Sequence, residues 1–213
     1  MAENKVVLLF SGGIDSTVLY YWLVDADYDV FPIHINYGQT TYPGEVKAIK
    51  EITHGKFPRK TFFVEVPNLR NIGTGSLVGD LPQSDYSQDN WMKSEFFPNR
   101  NMILISIAAS YAYKMDINKL AIGVVGENSY SDTGAAFITS IAATLSESLN
   151  SFELITPFVG KNRNFVVDEC RRLNVPLEKT FSCNCLRNRH CLLCSSCLDR
   201  QHLLERLGKQ NAF

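Results

Sequence analysis

Four cysteines in the last quarter of the chain have the spacing of a metal site. Cys183, Cys191, Cys194 and Cys197 follow the pattern Cys-x7-Cys-x2-Cys-x2-Cys, which brings four thiolates within reach of one tetrahedral ion. Four sulfur ligands leave no open coordination position, so the pattern predicts one structural Zn2+ per chain. On spacing alone, Cys185 competes with Cys183 for the place of the fourth ligand.

Two other interpretations of the cysteines remain open. A disulfide framework requires an oxidising compartment, whereas residues 1–5 lead directly into a strand-like run without a signal peptide. An iron-sulfur cluster satisfies the spacing, but no other feature of the chain indicates redox chemistry. We therefore expect a cytoplasmic protein in which zinc folds the cysteine-rich tail.

A glycine-containing loop near the N-terminus has the composition of a phosphate site. It reads Ser11-Gly12-Gly13-Ile14-Asp15-Ser16-Thr17 and stands between a predicted strand and a predicted helix, where backbone N–H groups and the helix dipole attract an anion. The glycines allow close approach of the backbone to a phosphate, and three hydroxyl side chains add donors. Asp15 can hold Mg2+ or orient the loop. Alternatively, the glycines only make a tight turn and Ser16 caps the helix.

The loop lacks the lysine of the common nucleoside-triphosphate pattern, and its Ser-Gly-Gly-x-Asp-Ser sequence resembles the pyrophosphatase loop of the PP-loop ATPases. Members of that superfamily cleave ATP between its α- and β-phosphates. The resemblance implies that ATP binds with Mg2+ and that Asp15 and Ser16 take part in catalysis. The ATP-binding residues that it predicts are Leu8, Leu9, Phe10, Ser11, Gly12, Gly13, Ile14, Asp15, Ser16, Thr17 and Val18.

Apolar runs and helix-like segments alternate along the chain. The strands predicted from continuous apolar runs cover residues 6–10, 30–36, 61–66 and 119–125. The predicted helices cover residues 16–24, 44–55, 100–114, 137–149 and 164–173. The alternation predicts an α/β fold with a doubly wound, mostly parallel sheet of the PP-loop (HUP-like) type. Residues 1–180 are expected to form the ATP-binding domain, and residues 181–213 a small zinc module with a C-terminal helix.

Two further features lie at the predicted ligand edge of the sheet. The polar segment between Pro67 and Pro98 is too long and too unpatterned for an ordinary connection, so we predict a lid that orders on substrate. A dimer contact or plain disorder is the alternative. His34 ends the second predicted strand, where it either lines an adenosine pocket or is a satisfied core residue.

Composition narrows the class of protein. The 213 residues are 45% hydrophobic and 20% charged, as in soluble globular proteins, and no apolar run reaches the roughly 18 residues of a membrane-spanning helix. The net charge of -1 does not mark a nucleic-acid binder, although ten of the 21 basic residues and only five of the 22 acidic ones lie in residues 161–213. An RNA-binding module or a tRNA-modifying PP-loop enzyme is the resulting alternative, but few aromatic side chains offer base stacking there.

Several ordered segments together resemble the 7-cyano-7-deazaguanine synthase family, known as QueC. The Ser-Gly-Gly-x-Asp-Ser loop occurs with Thr180-Phe181-Ser182-Cys183 and with the three later cysteines of the predicted metal site. The other agreeing stretches are Asn36-Tyr37-Gly38-Gln39, Pro98-Asn99-Arg100-Asn101, Thr156-Pro157 with Lys161, and Val175-Pro176-Leu177-Glu178. The resemblance runs nearly end to end, and it favours Cys183 as the fourth metal ligand.

The resemblance implies a ligase that uses ATP and ammonia. In that family, 7-carboxy-7-deazaguanine is adenylated on its carboxylate, and ammonia displaces AMP to give an amide. A second adenylation, on the amide oxygen, lets AMP leave as the nitrile 7-cyano-7-deazaguanine (preQ0) forms. The product feeds queuosine and related 7-deazapurine biosynthesis, and the family implies a homodimer.

Three more residues are candidates for catalysis. Arg100 and Lys161 lie near predicted helix or strand ends, and each is expected to neutralise phosphate or carboxylate charge or, alternatively, to be a solvated surface cation. Asp132 is expected to contact the guanine-like edge of the substrate or to cap the helix that follows it. Asn101 orients the substrate or opens its helix.

One stretch departs from the family pattern. The family usually reads Tyr-Pro-Asp-Cys-Arg-Pro-Glu-Phe where this chain reads Tyr130-Ser131-Asp132-Thr133-Gly134-Ala135-Ala136-Phe137. The missing arginine and glutamate are polar groups expected to recognise a deazaguanine or its carboxylate. The departure favours an alternative function, in which a divergent QueC-like enzyme of the antiphage-defence type joins a 7-deazaguanine to an amine of a protein partner.

Overall fold

Five parallel strands form one sheet at the centre of the molecule. In the computed structural model, which describes residues 4–54, 57–79, 95–125 and 130–209, the strand order is β3-β2-β1-β4-β5. All four pairs of neighbouring strands are parallel. The strands are β1 (Lys5–Leu9), β2 (Asp29–Asn36), β3 (Phe62–Glu65), β4 (Lys119–Ala121) and β5 (Glu153–Ile155).

Helices follow the strands in alternation, as predicted. The α-helices of the described residues are α1 (Ile14–Asp25), α2 (Tyr42–Thr53), α3 (Arg100–Lys114), α4 (Ala135–Ser148), α5 (Arg163–Arg172) and α6 (Ser195–Arg206). Short 3-10 turns cover Pro67–Asn71, Ser76–Val78, Ser131–Thr133 and Leu177–Lys179. The prediction for α3 is correct at both ends, and the other predicted helices begin or end within two residues of the observed bounds. Gly55, the predicted end of α2, lies outside the described residues.

Apolar side chains cover both faces of the sheet. Along β1, Val6 and Leu8 pack into one cluster with α1, α5 and α6, while Val7 packs into a second cluster with α3 and α4. Successive residues of a strand point to opposite faces, so an unbroken apolar run such as β1 fits a sheet buried on both sides. The doubly wound, parallel α/β architecture is thereby confirmed.

The sheet differs from the prediction at the β4 edge. Strand β5 was not predicted, because its three residues are too few for a periodic pattern and one of them, Glu153, is exposed. Strand β4 ends at Ala121 instead of continuing to residue 125. Beyond it, Gly123 passes so close to the start of α1 that an added Cβ atom would lie 3.0 Å from the backbone of Asp15 and Ser16.

The described part of residues 181–213 packs directly on the α/β core. The side chains of Cys194, Leu203 and Leu204 belong to the same apolar cluster as Val18 and Val166. The division of the chain at residue 180 stays a prediction. None of the described helices is long and apolar enough to cross a membrane.

Candidate active site and metal centre

A cavity of about 690 Å3 opens at the carboxyl ends of β1 and β4. The chain winds from β1 towards β3 on one side of this point and from β4 to β5 on the other, so the cavity lies where the strand order reverses. Doubly wound proteins bind their ligands at such a reversal. Its floor is formed by residues 122–125 and by the loop of residues 11–17, which we call the phosphate loop after its predicted ligand. Its walls are completed by residues 95–97, by the start of α3 and by residues 181–199, which we call the cysteine-rich segment.

The phosphate loop is held open by its own side chains. The Ser11 hydroxyl lies 3.1 Å from that of Ser16 and accepts the backbone N–H of Gly13 at 3.2 Å, and Thr17 donates to the Gly13 carbonyl at 2.7 Å. Gly12 has a φ of +74°, and an added Cβ atom there would lie 3.0 Å from the side chain of Ile49 in α2. A side chain at position 12 is therefore excluded both by conformation and by packing.

Seven of the eleven predicted ATP-binding residues line the cavity: Leu9, Phe10, Ser11, Gly13, Ile14, Asp15 and Ser16. Leu8, Thr17 and Val18 are fully buried behind the loop. The alternative role of Ser16 as helix cap is wrong, because α1 begins at Ile14 and its cap position is Gly13. The loop thus presents the first turn of α1 to the cavity.

Asp15 is held in an ion pair that was not predicted. Arg163, the first residue of α5, pairs through one guanidinium nitrogen with Asp15 and through the other with Asp199 of α6. Burial by itself lowers the pKa of Arg163, but the two carboxylates outweigh it and raise that pKa above its ordinary value. Burial also raises the pKa of Asp199, and Arg163 opposes this effect. All three residues line the cavity.

Lys161 does not line this cavity. Its side chain is exposed, and its ammonium lies 5.5 Å from the ring centroid of Phe165. Lys161 and not Arg163 was predicted from the sequence, although both stand near the predicted helix start. The positions of the two side chains differ because of the way α5 begins. Asn162 accepts the Phe165 N–H at 3.2 Å, and Arg163 is the first residue of the helix.

A polar cluster lies at the end of the cavity formed by α3. Arg100 hydrogen bonds to the buried Tyr37; burial raises the pKa of this tyrosine to about 12, although the Arg100 charge opposes the rise. Burial and the nearby Glu95 charge raise the pKa of Tyr130 to about 12 as well. Both phenols are therefore neutral hydrogen-bonding groups at neutral pH. This end of the cavity therefore contains the cation of Arg100 and the carboxylate of Glu95, which the sequence analysis did not identify.

Asp132 links two elements of this cluster. Its Oδ2 accepts the backbone N–H of Asn101 at 3.3 Å, and its carbonyl oxygen accepts the Asn101 side-chain amide at 3.1 Å. The alternative of a cap on the following helix is wrong, since the cap position of α4 is Gly134. Asp132 instead binds the first turn of α3, which places Arg100 and Asn101 in the cavity wall.

Glu95 is 3% exposed and fixes the cysteine-rich segment to the cavity. Its Oε2 accepts hydrogen bonds from the Asn184 side chain at 2.9 Å and from the Ser195 hydroxyl at 2.6 Å. It lies at the end of the predicted lid segment, and Phe96 and Phe97 from that segment also line the cavity. Residues 80–94 of the predicted lid lie outside the described residues.

His34 is buried and lies in the cavity wall, and its role in an adenosine pocket stays a prediction. Its Nδ1 is 2.9 Å from the Phe10 carbonyl oxygen, and its Nε2 is 3.2 Å from Glu45 Oε2. Burial tends to raise the pKa of Glu45, but hydrogen bonds from His34, Thr41 and Gln39 lower it overall. His34 and Glu45 also line the cavity, so this satisfied pair forms part of its wall.

The four predicted cysteine ligands converge. The Sγ atoms of Cys183, Cys191, Cys194 and Cys197 all lie within 4.8 Å of one another. Backbone N–H groups of Leu186 and Cys194 approach the sulfurs of Cys183 and Cys191 at 3.3 Å. Four closely placed sulfurs that accept N–H groups suit a tetrahedral, thiolate-bound ion.

Cys185 does not belong to this group of four. Its thiol lies within 4.8 Å of Cys194 and of a Glu95 oxygen, in a separate set of three. Hydrogen bonds from the thiols of Cys185, Cys194 and Cys197 lower the pKa of Cys183. The geometry groups Cys183 with the other three cysteines and places Cys185 in a second set that shares Cys194, and the identity of the metal ligands stays a prediction.

Comparisons with known proteins agree with this geometry. The family model described as "Queuosine biosynthesis protein QueC" matches residues 5–208. The 7-cyano-7-deazaguanine synthase 1 of Desulfitobacterium hafniense (strain Y51) is 51% identical over 216 residues, covering 100% of this chain and 98% of that protein. The 7-cyano-7-deazaguanine synthase of Aliarcobacter butzleri (strain RM4018) is 30% identical over 219 residues, covering 99% and 95%.

A solved structure shares the fold at low identity. The crystal structure of a 4-thiouridine synthetase in complex with RNA and bound ATP superposes with a TM-score of 0.57 at 18% identity, covering 97% of this chain and 51% of that one. At this identity the likeness concerns the fold alone. The full-length family match and the high identity over the whole chain decide the assignment: the chain belongs to the QueC family of ligase-type, carbon-nitrogen bond-forming enzymes.

Proposed function

We propose that the protein converts 7-carboxy-7-deazaguanine, with ATP and ammonia, to 7-cyano-7-deazaguanine. The observation that carries the proposal is a single cavity that joins the phosphate loop to the polar cluster of Arg100, Tyr130 and Glu95. A nucleotide and a small charged heterocycle need adjacent sites of this kind. The relatives that match over the full chain are named as synthases of 7-cyano-7-deazaguanine, which supports the same product.

The first half of the proposed reaction forms an acyl adenylate. The substrate carboxylate attacks the α-phosphate of ATP, and the bond to the leaving pyrophosphate breaks. The N–H groups of the loop and the hydroxyls of Ser11 and Ser16 receive the pyrophosphate. Asp15 is the residue that would hold Mg2+, which would neutralise phosphate charge; it pairs with Arg163 through Oδ1. Ammonia then attacks the acyl carbon and displaces AMP, leaving the amide and one released proton.

The second half repeats the activation on the amide. The amide oxygen attacks the α-phosphate of a second ATP, pyrophosphate leaves, and loss of AMP with two protons from nitrogen gives the nitrile. Arg100 is placed to pair with the substrate carboxylate or a phosphate, and Asp132 and Glu95 to accept N–H groups of the base. Lys161 stays a candidate for charge neutralisation, although its exposed position gives it less support than Arg100.

Cofactors and assembly complete the proposal. Cys183, Cys191, Cys194 and Cys197 would hold one Zn2+ with a structural role, because four sulfur ligands exclude a substrate from the ion. The protein is proposed to act in the cytoplasm as a homodimer. Light scattering of the purified protein would test the dimer, and a monomer at micromolar concentration would contradict it.

One observation favours a second function. Gly134, Ala135 and Ala136 bring no polar side chain to a stretch where the family has an arginine and a glutamate. An enzyme that recognises its substrate differently here could join the deazaguanine acyl group to an amine of a protein partner. An RNA substrate has no comparable support.

The products distinguish these functions. Purified protein is incubated with ATP, Mg2+, ammonia and 7-carboxy-7-deazaguanine, and the products are followed by mass spectrometry. Nitrile with two AMP per turnover supports the proposed function. AMP with amide that never becomes nitrile, or no turnover with ammonia, contradicts it, and a mass increase on a protein amine would support the second function.

A further inference from the structure

The cysteine-rich segment contacts the phosphate loop directly at one point and through Arg163 at a second, and each contact lies two residues from a predicted metal ligand. Phe181, two residues before Cys183, donates its backbone N–H to the Gly12 carbonyl oxygen at 2.9 Å. Asp199, two residues after Cys197, pairs with Arg163. Phe181 therefore contacts the phosphate loop itself, and Asp199 contacts the arginine that pairs with Asp15 in that loop.

Helix α2 also packs against the segment that begins at Phe181. The backbone N–H of Gly44 in α2 donates to the Arg187 carbonyl oxygen at 2.7 Å. An added Cβ atom at Gly44 would lie 2.7 Å from the ring of Phe181, so the segment has no room to shift towards α2. The backbone between Phe181 and Arg187 is thus clasped between α2 and the loop.

The contact at Asp199 continues to the start of α1. Arg163 is 20% exposed at its side chain and pairs with Asp15 through its second guanidinium nitrogen. A largely buried arginine between two carboxylates is costly to leave half paired, because removal of one partner leaves a poorly solvated charge. Arg163 thus links the carboxylate of Asp199 to that of Asp15 in the phosphate loop.

We propose that Arg163 is a positioning residue that couples metal binding by the four cysteines to nucleotide binding by the phosphate loop. The inference rests on the proposed role of the loop as an ATP site. A metal ion held by Cys183 and Cys197 fixes the neighbouring Phe181 and Asp199, and Arg163 transmits the second constraint to Asp15. Because such coupling is reciprocal, ATP raises the affinity for the metal by the factor by which the metal raises the affinity for ATP.

The test measures zinc affinity with and without ATP on the full chain. Zn2+ is titrated against a chromophoric chelator in the presence and absence of Mg-ATP, without the deazaguanine, and ATP affinity is measured separately by calorimetry. In the wild type we expect ATP to raise zinc affinity at least about fivefold. In Asp199→Asn, which keeps the size of the side chain, and in Arg163→Gln, we expect less than about twofold with zinc still bound.

A matched control exists at the other ends of the same helices. Arg172 of α5 pairs with Asp25 of α1 at 2.6 Å on the half-exposed surface. Asp25→Asn removes an Arg–Asp pair between α5 and α1, the two helices that the Arg163–Asp15 pair also joins, and should keep the wild-type response to ATP. It also controls for any zinc bound by ATP itself.

The outcomes separate the two proposals. If the wild-type protein binds ATP but its zinc affinity does not change with ATP, the coupling is overturned and the proposed function is unaffected. An unchanged ATP response in Asp199→Asn also overturns the role of Arg163. A wild type that binds no ATP overturns the proposed function, and the coupling with it. If Arg163→Gln does not fold, Asp199→Asn decides alone.

Discussion

At the scale of single residues, the main result is that cations of similar appearance in the sequence differ in position. Arg100 hydrogen bonds to Tyr37 within the cavity, and Arg163 joins two carboxylates there. Lys161 lies on the exposed surface beside Phe165. Burial strengthens the interaction of a charge with a reacting group, so a cation in the cavity is expected to contribute more than an exposed one.

Replacement of Arg100 tests this difference. Arg100→Gln removes the cation that is placed to meet the substrate carboxylate, so kcat/KM for the deazaguanine should fall about 10- to 150-fold, equivalent to roughly 1.5–3 kcal/mol. Lys161→Gln tests the second candidate, whose exposed position predicts a smaller loss, within about twofold. Steady-state kinetics of AMP release measures both, and equal losses in the two variants would contradict the assignment.

Glu95 offers a second test at this scale. Its carboxylate is buried beside Tyr130, and it is proposed to accept N–H groups of the base. Glu95→Gln replaces one acceptor oxygen by a donor and should raise the KM for the deazaguanine about tenfold or more, with the KM for ATP little changed. An increase confined to the KM for ATP would exclude a role in base binding.

At the scale of elements, helix starts and strand ends position the site. Gly123, just beyond β4, lies against the start of α1, so that the floor of the cavity and the phosphate loop are in van der Waals contact. Overpacking by one methyl group in such a place displaces the backbone.

Gly123→Ala should therefore weaken ATP binding. The added Cβ atom would lie 3.0 Å from the backbone of Asp15 and Ser16, and a displacement that costs about 1–3 kcal/mol corresponds to a roughly 5- to 150-fold higher Kd for ATP. Gly134→Ala is the matched control, since its Cβ atom would meet only a carbonyl oxygen at 3.7 Å. Calorimetric titration with ATP should leave this control near the wild-type value.

The pair of His34 in β2 and Glu45 in α2 ties a strand to a helix beside the cavity. The pKa of Glu45 is lowered in the folded state, so the carboxylate stabilises the fold above the pKa of the unfolded chain, near 4.5. This stabilisation is lost as the pH falls through the lower pKa of the folded state. Glu45→Gln should consequently reduce stability at pH 7 and flatten its decline in acid.

Urea unfolding at a series of pH values measures this effect. Glu51→Gln, on the exposed side of α2 in a pair with Lys47, should keep the wild-type pH dependence. A Glu45→Gln variant whose stability falls in acid as steeply as that of the wild type would disprove the contribution of Glu45.

At the scale of the whole molecule, the cysteine-rich segment is part of the active-site wall. Cys183 and Asn184 line the cavity, and Arg200 of α6 is fully buried with hydrogen bonds to Thr180 and to the Leu177 carbonyl oxygen. Loss of the metal ion should therefore affect the nucleotide site as well as the tail.

Two cysteine variants test the ligand set. Cys183→Ser should lower the zinc content well below one per chain and lower the melting temperature, because three sulfurs bind zinc less tightly than four. Cys185→Ser should keep one zinc per chain. Metal analysis and thermal denaturation provide the measurements, and zinc loss in Cys185→Ser alone would reverse the assignment.

Local patterns in the sequence were enough to predict the α/β architecture and the positions of the two candidate sites. Unbroken apolar runs such as β1 predicted a parallel sheet, and the compositions of the phosphate loop and of the cysteine cluster predicted their ligands, because these properties depend on local pattern. The short strand β5 was not predicted, because three residues are too few to show a periodic pattern.

Which side chains from distant parts of the chain come into contact depends on the tertiary structure. It placed Arg163 rather than Lys161 at the cavity, and brought Glu95 and Asp199 into the walls. For Cys183, which the family resemblance already favoured over Cys185, it added the grouping with the other three sulfurs. Each of these choices depends on where a helix begins or how two segments far apart in the chain pack together. Neighbouring residues of the same type are equivalent in the sequence, and burial and geometry in the fold make them different.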